Sequence, residues 1–161
     1  MDLNKAHALP FEEMYGEDVE ETTLFKVAAQ DAVSFLKSHS WCRDIIEHYF
    51  CFGIGGVVEL FLFRIDRLSS NGGVVDEWLW VIVGDIPSAY LVTDEAKSPG
   101  EALRTYCYVM QEWVEAVFAK KPLSDVYPVA VEPTEDNASQ LNVRIEFLLN
   151  EIVPLASDRA D

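Results

Sequence analysis

Two stretches of the chain, residues 57–66 (VVELFLFRID) and 77–83 (EWLWVIV), are apolar at nearly every position. A strand with one wet face alternates apolar and polar residues, because successive side chains point to opposite faces. These two do not alternate. Each therefore belongs inside a sheet covered on both sides, by helices or by a second copy of the chain. The same feature is the argument for a homodimer. The flanking runs 45–52 (IIEHYFCF) and 88–93 (SAYLVT) are rich in β-branched and aromatic residues and read as two further strands. The links between them, Gly53-Ile54-Gly55-Gly56, LSSNGG at 68–73 and Gly84-Asp85-Ile86-Pro87, are built from turn residues. Connections this short between successive strands predict an antiparallel meander.

Helical periodicity brackets the strands. From Thr22 or Thr23 as N-cap, Leu24, Val27, Ala28, Ala32, Phe35 and Leu36 form a stripe to about Ser38. Ser98-Pro99-Gly100-Glu101 opens a second helix, with a capping box and a helix-starting proline. Its stripe runs from Leu103 through Trp113 to Val117, and Pro122 ends it. Thr134 caps a third helix that Pro154 is expected to end. The order is α-β-β-β-β-α-α: an α+β protein with a four-stranded antiparallel sheet and three helices. The 161 residues are expected to form a single domain, with residues 1–19 as a less regular acidic arm whose Leu9, Phe11, Met14 and Tyr15 can dock on the body.

Charge narrows the function. Twenty-eight Asp and Glu against twelve Lys and Arg give a net charge of −16. Nucleic-acid binding draws its affinity from Lys and Arg neutralising phosphates, so nucleic acid is excluded as a partner. Anionic membranes attract such a surface poorly, and no apolar run is long enough to span one. The acidic first twenty residues lack the basic start and apolar centre of a signal peptide. Three cysteines in a chain of this size point to reduced thiols and a cytoplasmic location. An acidic field speeds encounter with basic proteins, although it also serves solubility alone.

His39-Ser-Trp-Cys42 and His48-Tyr-Phe-Cys51 imitate metal-ligand spacing. Zinc needs four converging ligands, and His48 and Cys51 fall in a strand, where residues three apart face opposite ways. Cys51 reads better as a small buried residue and His39 as a helix C-terminal cation. Cys107 sits on an apolar stripe, which leaves Cys42 as the one thiol open to reaction, with no flanking signature. The glycines at 53–56 lack the dinucleotide-binding spacing, and Ser88 lacks the nucleophile-elbow setting. Glu59, inside an apolar strand, is either an acid–base candidate with a raised pKa or a structural residue at a wet edge or paired with Arg64 or another strand's cation; the structural reading is preferred. No catalytic residue, cofactor or metal is expected.

Residues 78–96 (WLWVIVGDIPSAYLVTDEA), followed by 98–117 (SPGEALRTYCYVMQEWVEAV), resemble a stretch of small, acidic, functionally uncharacterised bacterial proteins. The resemblance carries no activity. Proteins of this size and charge accompany toxin systems as immunity partners, a similarity of type. The expected function is a non-enzymatic module that binds a basic protein, of immunity or antitoxin type. The candidate contacts are Glu12, Glu13, Glu17 and Asp18, then Glu132, Glu135 and Asp136, with Trp41 and Tyr90 as exposed aromatics. The alternative is a small enzyme or ligand-binding domain whose pocket, between sheet and helices, is lined by Trp78, Trp80, Tyr106 and Trp113.

Overall fold

The computed structural model describes residues 1–158; the last acid of the C-terminal stretch, Asp161, lies outside the described residues. The protein is α+β with an antiparallel sheet. The chain divides into two compact units, one ending at Pro99 and one starting at Gly100.

The first unit is a helix on a meander. The strands β1 (Leu9–Pro10), β2 (Cys42–Ile54), β3 (Val58–Leu68), β4 (Val74–Gly84) and β5 (Ala89–Val92) lie side by side in chain order. The sheet therefore has five strands, not four. The added strand pairs Leu9 with Phe50 and Pro10 with Tyr49. A two-residue strand shows no period in the sequence, and Pro10, which has no N–H to give a ladder, suits a sheet edge. Beyond it, Phe11–Glu13 forms a 3₁₀ turn that brings Met14 into the core.

Helix α1 runs Val19–Lys37 and starts earlier than its apolar stripe suggests. Its N-cap is Asp18, whose Oδ1 accepts the Glu21 N–H at 2.8 Å. Thr22 is already inside the helix and accepts the Gly16 N–H at 2.8 Å. The acidic run at 17–21 is thus a helix entry, where carboxylates satisfy free N–H groups and the dipole favours them. Phe25, Ala28, Ala29, Ala32 and Leu36 on α1 pack with Phe61, Phe63 and Ile65 of β3 and Leu79, Val81 and Val83 of β4.

The residues between these on the strands, Leu60, Leu62, Trp80 and Ile82, are equally buried. The unbroken apolar strands are thus buried on both faces, as their sequence predicts for strands inside a covered sheet.

The second unit is helical. Helix α2 spans Pro99–Phe118, with Leu103, Tyr106, Cys107, Met110, Trp113, Val114 and Val117 buried. It ends in a Schellman motif: Lys120 takes φ +55°, and the Lys121 N–H reaches the Ala116 carbonyl at 2.9 Å. Helix α3 (Glu135–Phe147) begins at Thr134, whose Oγ1 accepts the Asn137 N–H at 3.1 Å. Pro154 does not end the helical path. A π turn at Leu148–Ile152 leads into α4 (Val153–Ser157), with Pro154 in its first turn, where no backbone N–H is required of it.

Candidate functional site

The site grows from the corner where β2 turns into β3. Gly56 takes φ +77°, and the Val57 N–H closes the turn on the Ile54 carbonyl at 2.9 Å. The two glycine N–H groups point at carboxylates of the chain itself. Gly55 donates to Glu21 Oε2 at 3.1 Å, and Gly56 donates to Glu59 Oε1 at 3.0 Å. Glu21 also accepts the Glu17 N–H through its other oxygen, at 3.0 Å. One acid of α1 thereby ties the hairpin corner to the helix entry.

Glu59 is the buried charged residue of the described chain, only 2 % exposed. It lies on the same face of β3 as Phe61 and Phe63, toward α1. None of the structural roles expected for it occurs: among the described residues no cation, of this strand or another, pairs with it. It is not at a wet edge, and Arg64, five residues on and on the opposite face, pairs instead with Glu47 at 2.8 Å and Asp76 at 2.9 Å. Burial raises the Glu59 carboxyl to about 7; the Gly56 N–H opposes this, and the charges of Asp31 and Glu21 add to it. Glu59 Oε2 has no hydrogen-bond or ion-pair partner among the described residues, and it is not a fully buried atom: it opens to solvent.

That carboxyl lines a cleft of about 300 Å³ with Leu24, Val27 and Asp31 of α1 and with Gly84 and Asp85 at the end of β4. Gly84 is required there. It takes φ +143°, and an added Cβ would lie 2.3 Å from the Val57 carbonyl oxygen. The strand ends so close to the hairpin corner that only glycine fits. Leu24 and Val27 keep 41 % and 51 % of their surface exposed beside the cleft. The arrangement offers carboxylate oxygens between apolar walls, the chemistry of a site for an organic cation.

The expected contact residues fall in three places. Glu12 and Glu13 lie in the 3₁₀ turn after β1, and Glu17 and Asp18 at the entry of α1; all four are exposed, and Asp18 is in addition the cap. Glu132, Glu135 and Asp136 are exposed in the second unit, the latter two in the first turn of α3. Trp41 and Tyr90 are not free aromatics: both are half-buried. Their rings meet at 4.9 Å, His39 lies against both, and Arg67 covers Trp41 at 4.3 Å. His39 bonds through Nδ1 to the Phe35 carbonyl at 2.9 Å, as a cap for the end of α1.

His48 stacks on Phe11 at 4.2 Å, and Cys51 and Cys107 are buried with thiols pushed up by burial. Cys42 is half-buried and its thiol is also raised, chiefly by burial, the opposite of an activated thiolate. Of the aromatics expected to line a pocket, Trp80, Tyr106 and Trp113 are core residues, and Trp80 donates its Nε1–H to the Ala96 carbonyl at 2.9 Å. Trp78 alone borders a cleft, one of about 670 Å³ shared with Asp76, Glu77 and Lys97. Among the described residues, no three His, Cys, Asp or Glu side chains come together as metal ligands.

Sequence reasoning reached Glu59 by its position but missed the cleft. Its other members, Asp31 and Asp85, carry no signal: both look like ordinary surface acids until α1 and β4 are in place.

Fold and site together define an α+β protein with an acidic helix entry and a carboxylate cleft beside it. No family model matches the chain, and no curated protein or solved structure matches it.

Proposed function

We propose that this chain is a non-enzymatic protein-binding module that docks a basic partner, in the manner of an immunity or antitoxin-type protein. The observation that carries the reading is the run of exposed acids from Glu12 to Glu20 that leads into α1. Glu12, Glu13, Glu17 and Glu20 are exposed and carry no ion pair among the described residues, whereas Glu47, Asp76 and Glu77 on the sheet are paired with Arg64 and Arg67. Like charges crowded without counter-ions repel one another, and a cationic surface relieves that repulsion. The exposed Leu24 and Val27 continue along the same helix and supply the apolar centre that a stable contact needs.

The test is retention of basic proteins from the native host on the immobilised chain at low ionic strength. Binding is expected to weaken steeply with salt and to be lost when Glu12, Glu13, Glu17 and Glu20 are changed together to Gln. Recovery of the chain alone, or retention indifferent to those four changes, would refute the proposal.

A further inference from the structure

We propose that the cleft between α1 and the Gly55–Gly56 corner receives one Lys or Arg side chain of a basic partner; this rests on the protein-binding reading above and names its anchor. The second oxygen of Glu59 points to a ligand. The residue is 2 % exposed, it lines the cleft, and that oxygen has no partner among the described residues. A carboxylate set in a mostly buried residue, with one oxygen open to the cleft and no counter-ion, is partly desolvated, and a cationic donor arriving from outside offsets that cost.

The shape selects the donor. Leu24 and Val27 form apolar walls, and Glu59 and Asp31 place carboxylates beyond them. A Lys or Arg side chain has the same two-part chemistry, an apolar methylene stem and a charged head. A bare divalent ion does not, since it needs six or more oxygen ligands, and the described residues bring no such group together. Gly56, already bonded to Glu59 Oε1, holds the carboxylate in position, so little ordering is left for the binding step.

The probe is N-acetyl-arginine amide, titrated into the full chain and followed by amide NMR shifts, with N-acetyl-norleucine amide as the uncharged control that keeps an apolar stem. Saturable shifts are expected at Gly56, Gly84 and Asp85 with the arginine compound only. They should weaken at least tenfold in Glu59→Gln and, as an independent check at an exposed position, several-fold in Asp31→Asn. Glu12→Gln with Glu13→Gln should leave them unchanged. Absence of saturation, equal shifts with the norleucine compound, or undiminished binding in both Glu59→Gln and Asp31→Asn overturns the proposal. The two readings fail separately. If a basic protein is retained equally by the parent chain and Glu59→Gln, the cleft is refuted and the acidic surface stands. If the arginine probe binds as described but no basic protein is retained, the cleft stands and the partner reading falls.

Discussion

Replacing Glu59 by Gln should make the protein more stable at neutral and alkaline pH. The carboxyl of Glu59 rises from an ordinary 4.5 to about 7 in the folded chain, first because of burial. For an acid raised in this way the sign is fixed. At pH below about 4.5 both folded and unfolded chains hold the proton, and the group's contribution to stability is complete. As pH climbs, the unfolded chain ionises first, and the contribution is lost progressively until the folded carboxyl ionises near 7; above that the full penalty of a buried charge remains. A tenfold change in proton affinity is worth about 1.4 kcal/mol, so the loss over this window is at most roughly 3.5 kcal/mol. The open side of the cleft lets water screen part of it, which puts the expected effect between about 1 and 3 kcal/mol. Gln keeps an oxygen for the Gly56 N–H and carries no charge at any pH. Urea titrations of both proteins at a series of pH values between 4 and 9 measure the difference directly. The stability gap should be small at the acid end, open through the window and level off above pH 8, in favour of Glu59→Gln. Parallel pH profiles, or a variant less stable than the parent at pH 8, would show that Glu59 is solvated or paired in solution and would remove the basis of the cleft.

Three further outcomes follow from the geometry. Gly84→Ala should destabilise the first unit by about 2 kcal/mol or more, because φ +143° is strained for alanine and the new Cβ meets the Val57 carbonyl at 2.3 Å; a urea midpoint unchanged from the parent contradicts the close approach. Lys120→Gly should stabilise the second unit by up to about 1 kcal/mol, since Lys120 holds φ +55° at the end of α2; calorimetry would register the gain. Under native conditions a thiol reagent such as DTNB should react slowly with Cys42 and not with Cys51 or Cys107, all three becoming reactive in urea; fast labelling of the native chain would show an activated thiolate.

The entry of α1 shows how local and tertiary information divide. The apolar stripe of α1 is visible from Leu24 onward, but its first turn is polar and exposed, so no period marks it. The acids at 17–21 look like an unstructured arm because their hydrogen bonds go to backbone groups, some of them distant: Glu21 bonds Gly55, 34 residues away. The helical path continues past the end of α3 for a related reason. A proline is a reliable stop for a regular α-helix, but a π turn just before it moves the hydrogen-bond pattern so that Pro154 begins a new turn.

What the sequence determined by itself was the architecture of strands and helices. An unbroken apolar run can only be an interior strand, a short glycine-rich link can only join antiparallel neighbours, and Thr134 announces a helix; each signal is carried by residues adjacent in the chain. The tertiary structure alone decided what the polar residues inside that frame do. Whether Glu59 is a wet-edge acid, half of an ion pair or a buried carboxyl with an open oxygen depends on which helix lies over it. That helix brings Asp31, and the end of β4 brings Asp85, from positions separated by more than twenty residues on either side. Burial, charge and shape at one point are sums over neighbours in space, and those neighbours are not written next to it in the chain.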